Sequence, residues 1–133
     1  MQLLAATTIT TAATFVGPVV SVTAQGSTCF QATFTYGTGG TTANVYVQTS
    51  IDGGVFWNDV AAFGFLLATA RKIQFLANSV SVKVPVVLTD GTLGNDTAID
   101  GLLGFQWRVK IISTGTYATS TTVRVDAAGA GWN

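Results

Sequence analysis

The chain has 133 residues, of which 48% are hydrophobic and only 9% are charged. Six basic residues balance six acidic ones, and His is absent. Phosphate contacts need a surplus of clustered Lys or Arg, so nucleic acid is not an expected partner. The hydrophobic content excludes an intrinsically disordered chain. No apolar stretch reaches the ~20 residues of a membrane-spanning helix, so a membrane is not an expected partner either.

The sequence predicts one all-β domain over residues 1–133, a single-domain antiparallel β-sandwich or jelly-roll-like fold of about eight or nine strands. An N-terminal arm is predicted at about residues 1–14 and a C-terminal arm at about residues 127–133. Apolar and polar residues alternate with the period of two that is typical of half-buried strands. This alternation occurs in segments 28–36, 42–51, 79–88, 105–111 and 122–126. The side chains predicted to face the core are Phe30, Ala32, Phe34, Tyr36, Val45, Val47, Ile51, Val80, Val82, Val84, Val86, Phe105, Trp107, Val109, Ile111, Val123 and Val125.

Residues 50–57, Ser-Ile-Asp-Gly-Gly-Val-Phe-Trp, form a turn-rich segment between two predicted strands. They resemble the Asp-box, a hairpin motif of sialidase propellers, although Phe56 stands where that motif carries Thr. The resemblance implies structural roles for Ser50, Asp52, Gly54 and Trp57: the Asp accepts backbone N–H bonds, the Gly supplies a positive φ, and the Trp packs beneath the hairpin. A propeller needs repeated blades, so this one copy predicts a rigid hairpin and no sialidase activity.

Residues 60–70 are apolar on both faces of a predicted strand, and Phe63, Phe65 and Leu67 share one face. Two interpretations stay open. The strand is enclosed in the core, or its outer face contacts another subunit, because monomers rarely leave broad apolar surfaces exposed. Trp132 ends a tail rich in Gly and Ala and is predicted to anchor in a pocket of its own chain or of a partner. Phe63, Phe65, Leu67 and Trp132 are therefore the candidate interface residues.

The chain offers few groups for catalysis. Without His or Glu, general acid–base chemistry is hard to arrange, so we expect a non-enzymatic protein without a cofactor. A hydrolase would need two Asp carboxylates that converge in a pocket. Asp90, Asn95, Asp96 and Asp100 carry oxygen ligands of the kind that calcium prefers, but the spacing of an EF-hand is absent. This segment therefore predicts polar turns and no metal site.

Residues 45–63 and the strand at 105–110 resemble segments of small structural proteins of tailed-phage virions. The resemblance implies a capsid decoration (cement) protein that forms homo-oligomers, binds the major capsid protein or neighbouring structural proteins, and belongs to a virion assembled in the host cytoplasm. A tail or collar component and a carbohydrate-binding host-recognition module are the alternatives. For the last of these, Trp57, Tyr46 and Tyr36 would form an exposed platform for sugar rings. Zero net charge and a mean hydropathy of +0.48 independently favour surface that is buried against a partner.

Overall fold

The structure is a computed structural model that describes residues 1–23, 26–78 and 85–132. These residues form eleven β-strands and contain no helix, hence none that is long and apolar enough to cross a membrane. The strands are β1 (Gln2–Thr8), β2 (Ala13–Val16), β3 (Val20–Ser21), β4 (Thr28–Thr35), β5 (Thr38–Gly39), β6 (Thr42–Ser50), β7 (Asn58–Phe65), β8 (Ala70–Leu76), β9 (Gln106–Thr114), β10 (Tyr117–Ala118) and β11 (Thr122–Gly129). All their pairings are antiparallel, which confirms the predicted all-β antiparallel fold.

The longer strands form two sheets, with the orders β1-β11-β4-β8 and β2-β9-β6-β7. The short β3 also pairs with β9, and β5 pairs with β10 in a separate ribbon. Between consecutive long strands the chain changes sheet at every connection except the β6–β7 hairpin. Two sheets whose long strands have these orders and connections form a jelly roll, so the predicted β-sandwich of jelly-roll type is confirmed.

The core lies between the two sheets and follows the predicted alternation in β4, β9 and β11, whereas β6 is buried on both faces from Val45 to Ser50. In β4, for example, Phe30, Ala32 and Phe34 are buried while the intervening residues are half-buried. The other predicted core residues that are buried are Val45, Val47, Trp107, Val109, Ile111, Val123 and Val125. These strands are rich in branched and aromatic side chains, which pack well on a pleated surface.

Some inward-facing predictions are wrong. Ile51 and Phe105 are exposed because β6 ends at Ser50 and β9 begins at Gln106, so each lies just outside its strand. Tyr36, one residue beyond β4, is only half-buried. The predicted strand at 79–88 includes residues 79–84, which lie outside the described residues. Its remainder, residues 85–88, is exposed and is not a strand.

Residues of both predicted terminal arms pack against the rest of the domain. Strand β1 pairs with β11 and buries Leu3 and Leu4, so the N-terminus is part of the first sheet. At the other end β11 continues to Gly129, and Trp132 is only 6% exposed. The Trp132 ring centroid lies 5.0 Å from that of Trp107. The C-terminal tryptophan therefore anchors in its own chain, where it closes one end of the core.

Strand β7 is enclosed by its own chain. It forms an edge of the second sheet, but residues 89–99 run along that edge. Three backbone hydrogen bonds fasten them: Asp59 N–H to Thr89 O, Ala62 N–H to Thr97 O and Ile99 N–H to Val60 O, at 2.8, 2.9 and 2.8 Å. Phe63 and Phe65 are buried in the core, so of the two interpretations left open the structure supports the enclosed strand, and these two candidate interface residues are covered by their own chain. Leu67, in the turn after β7, is exposed.

Candidate functional site

The β6–β7 hairpin is held by a side-chain carboxylate inside its turn. Asp52 Oδ1 accepts hydrogen bonds from the backbone N–H groups of Val55 and Phe56, at 3.1 and 3.0 Å, and from the Ser50 hydroxyl at 2.8 Å. Ser50 Oγ in turn accepts the N–H of Gly54 at 2.9 Å. The Phe56 N–H and the Ser50 hydroxyl stabilise the charged carboxylate, which lowers the pKa of Asp52 below its ordinary value. The turn therefore has a fixed geometry.

Trp57 lies at the foot of this hairpin and is half-buried. The guanidinium carbon of Arg108 lies 4.3 Å from the Trp57 ring centroid, within the range of a cation–π contact. Arg108 Nε also donates a hydrogen bond of 2.7 Å to Gln48 Oε1. Burial lowers the pKa of Arg108, although the charges of Asp90 and Asp59 act in the opposite direction. The hairpin is thus joined to β6 and β9 by a stacked cation.

Asp59, at the start of β7, is a fully buried carboxylate. Its Oδ1 accepts a hydrogen bond from Gln48 Nε2 at 2.8 Å. The donors to Oδ2 are the Thr89 hydroxyl and the backbone N–H groups of Gly91, Thr92 and Leu93, at 2.8, 2.7, 3.1 and 3.2 Å. The carboxylate therefore organises the loop that covers β7. The available signal was a lone Asp inside an otherwise apolar strand.

Gln48 connects this buried carboxylate to the surface. Its Nε2 also donates to Asp90 Oδ1 at 2.6 Å, and Lys110 Nζ forms an ion pair with the same oxygen at 2.9 Å. Burial alone would raise the pKa of Asp90, but the hydrogen bonds from Lys110 and Gln48 and the nearby positive charges outweigh it, so the pKa lies below its ordinary value. These polar side chains form one network that fixes residues 89–93 against the second sheet.

An apolar groove lies beside this network, between the hairpin and residues 88–90. Its volume is about 490 Å³. Ile51, Val55 and Phe56 line it and are 61–71% exposed, and Leu88 lines the opposite side at 47%. The carboxylates of Asp52 and Asp90 flank these apolar side chains. We call this feature the hairpin groove.

A second apolar surface lies on β8, at the edge of the first sheet. Its burial alternates so that Arg71, Ile73 and Phe75 share the exposed face. Phe75 is 72% exposed and Ile73 is 49% exposed. Neither this strand nor its apolar face was predicted from the sequence. We call Arg71, Ile73 and Phe75 the β8 face.

The three aromatic residues proposed as a sugar platform do not converge. Tyr46 is buried, and the hydroxyl of Tyr36 donates to Gly39 O in β5, the short strand that precedes β6. Trp57 lies beyond the other end of β6, a strand that spans roughly 27 Å. The prediction of a shared platform is therefore wrong.

Each acidic residue considered for calcium binds a different partner within the chain. Asp96 forms an ion pair with Lys72 at 2.9 Å, Asp90 pairs with Lys110, and Asp100 accepts the Ala77 N–H at 2.8 Å. No group of three or more His, Cys or acidic residues that could hold a metal ion occurs within residues 1–23, 26–78 and 85–132. The carboxylates therefore act as structural hydrogen-bond acceptors.

Fold and site together define a jelly-roll β-sandwich with an exposed apolar groove on a rigid hairpin. Comparison of the chain with known protein families, with curated proteins and with solved structures finds no match. The function of the protein is therefore inferred from the residues of this chain.

Proposed function

We propose that the chain is a non-enzymatic structural protein of a virion, namely a capsid decoration protein that oligomerises and stabilises the shell. The hairpin groove is the observation that carries this proposal. Its exposed side chains belong to a turn that is fixed by Asp52 and by the Trp57–Arg108 stack. A rigid apolar projection is suited to binding another protein, because little conformational entropy is lost when it docks.

The amount of exposed apolar surface supports a role in assembly. Large aliphatic and aromatic side chains are exposed on the hairpin, on β8 and at residues 86–88. Each Å² of apolar surface removed from water contributes roughly 25 cal/mol, so burial of these side chains against neighbours would favour association. A stable interface buries about 1,600 Å² in total, which a decoration protein would reach by contacting both its own copies and the shell.

The chemistry of the groove supports a role without catalysis. General acid catalysis by a carboxyl group requires a raised pKa. Asp52 and Asp90, the carboxylates that line the groove, have lowered pKa values because hydrogen bonds stabilise their charged forms. Both remain ionised at neutral pH. Asp90 is compensated by its ion pair with Lys110, and Asp52 is a fixed negative charge at the rim.

Fold-level analogy points in the same direction. Jelly rolls occur in viral capsid proteins and also in lectins, and a fold alone does not determine function. Among these, a lectin-like role has less support, because Trp57, Tyr46 and Tyr36 do not form a common surface. A tail or collar component would use the same apolar surfaces and is distinguished by its location in the particle.

Immunogold electron microscopy on intact virions tests the proposal. We expect label distributed over the shell. Label confined to the tail or collar would replace decoration of the capsid by the alternative structural role, and absence from purified virions would overturn both. In a matched comparison, Phe56→Ser should reduce incorporation, whereas Val19→Ser, at an exposed apolar residue outside the groove, should not.

A further inference from the structure

We propose that the hairpin groove of one copy receives the β8 face of a second copy, in a head-to-tail contact. This inference rests on the proposed function, since it names the surfaces through which copies of a decoration protein would associate. The two surfaces differ, so the contact is heterologous and repeats from copy to copy.

The two surfaces are both apolar and exposed. The groove is a concave apolar site of about 490 Å³, and the β8 face offers Ile73 and Phe75 on an edge strand. In the described part of the chain, β4 is the one strand that pairs with β8. Phe75 is the most exposed apolar side chain of this strand, and aromatic side chains contribute strongly to the energetics of interfaces.

The charges of the two surfaces are opposite. Asp52 gives the groove a negative charge that is unpaired among the residues that the structure describes, whereas Asp90 is already paired with Lys110. Arg71 lies on the same face of β8 as Ile73 and Phe75, and within the described residues it forms no ion pair. Docking of β8 into the groove places this cation near the Asp52 carboxylate, and such charge complementarity fixes the orientation of an interface.

Pairing of like surfaces is less favourable. A groove-to-groove contact brings the Asp52 carboxylates of the two copies together, and like charges at an interface repel. A β8-to-β8 contact leaves every hairpin groove uncovered. The head-to-tail contact covers both apolar surfaces with one kind of interface, which closes into a ring when the rotation between copies permits.

A mixing experiment tests this arrangement. Phe56→Asp disables the groove and keeps the β8 face, while Phe75→Asp disables the β8 face and keeps the groove. We expect each variant alone to self-associate at least about tenfold more weakly than the natural chain. An equimolar mixture should form a dimer, because one intact groove and one intact β8 face then meet. Multi-angle light scattering measures the masses, and Leu67→Asp, at an exposed residue outside both surfaces, should associate like the natural chain.

Charge variants give a second readout on a chain with unchanged apolar surfaces. Arg71→Glu should weaken self-association roughly tenfold, and Arg71→Lys should restore most of it. If either Asp variant is poorly folded by circular dichroism, Val55→Asp and Ile73→Asp replace them. Undiminished association of both single variants, or a mixture that remains monomeric while the natural chain oligomerises, would overturn the head-to-tail contact. Shell labelling of virions in that case would leave the proposed function intact, so the two failures are distinguishable.

Discussion

The buried carboxylate of Asp59 shows how one residue determines the surroundings of the site. A charged group is costly to bury unless hydrogen bonds replace its hydration. Asp59 meets this condition through Gln48 and through donors in residues 89–93, so the loop and the carboxylate stabilise each other. Because the same loop lines the hairpin groove with Leu88 and Asp90, the groove depends on a residue that it does not expose.

Substitution of Asp59 should therefore destabilise the fold strongly. Asp59→Asn keeps the size of the side chain but places an amide NH₂ against donor groups, so we expect the free energy of unfolding to fall by about 3 kcal/mol. Urea denaturation measures it. Asp126→Asn, which removes a partly exposed ion-pair partner of Arg124, is the control and should cost less than about 1 kcal/mol. Equal losses in the two variants would contradict this account of Asp59.

Tyr117 presents the opposite situation, a buried polar group without a partner. Its hydroxyl forms no hydrogen bond with the described residues, and burial raises its pKa. A buried donor that is left unsatisfied costs about 1–3 kcal/mol. Tyr117→Phe removes the hydroxyl and keeps the ring packing with Phe34, so we expect stability in urea to be unchanged or raised by about 1 kcal/mol. A stability loss of more than about 1 kcal/mol in Tyr117→Phe would show that the hydroxyl has a stabilising partner.

At the scale of elements, the hairpin between β6 and β7 is a turn built around Asp52. Its backbone donors would otherwise face solvent without a fixed partner, and the carboxylate orients them. This fixed turn keeps Val55 and Phe56 exposed at the groove. The element thus links a local hydrogen-bond pattern to the surface proposed for assembly.

The contribution of Asp52 to stability should depend on pH. Its pKa in the folded chain lies below the ordinary value of 3.8, so its charged form is favoured by folding. The stabilisation is fully present above the unfolded-state pKa and is lost as the pH falls through the folded-state pKa. We expect the natural chain to be more stable than Asp52→Asn at pH 7, with the difference shrinking below about pH 4. A difference that is constant between pH 7 and pH 2 would contradict this role.

The C-terminal segment after β11 closes the end of the sandwich with Trp132. Its ring contacts Phe30 and Trp107, with centroid distances of 5.8 and 5.0 Å, and its Nε1 donates to Thr28 Oγ1 at 3.2 Å. Trp132→Ala should lower the free energy of unfolding by about 3–5 kcal/mol, whereas the exposed Phe56→Ala should change it by less than about 0.5 kcal/mol. Thermal denaturation of the two variants and of the natural chain measures these changes in stability. A small effect of Trp132→Ala would indicate that the segment detaches readily from the core.

The local alternation of apolar and polar residues was sufficient to predict some of the strands. It was insufficient where strand formation depends on contacts between residues that are distant in the sequence. Alternation predicted β4, β6, β9 and β11, because each places one apolar face on the core. Strand β1 was missed, since threonines follow the short apolar run of Leu3 and Leu4 and its stability comes from pairing with β11. The valines at 86 and 87 suggested a strand, yet they are exposed in a loop.

The candidate site was predictable only in its turn. Ser50, Asp52, Gly54 and Trp57 lie close together in the sequence, so their spacing was sufficient to propose a hairpin. Asp59 Oδ2 receives its donors from residues about thirty positions away, and no local sequence pattern indicates them. The β8 face was missed because its apolar residues are separated by Lys72 and Gln74, and only the topology places the strand at an edge.

At the scale of the whole molecule, the jelly roll places its two apolar surfaces on different sheets. The hairpin groove belongs to the second sheet and the β8 face to the first. Both surfaces are exposed in a single copy of the chain. The chain also carries no net charge that would oppose self-association. We therefore propose that copies of this protein contact one another through these two surfaces.

Light scattering coupled to size-exclusion chromatography tests that claim most directly, on the natural chain at micromolar concentration. We predict a mass that is a multiple of the 13.7 kDa protomer and a shift towards the protomer mass in Phe56→Asp. A single species of 13.7 kDa that persists as the concentration rises would contradict the claim.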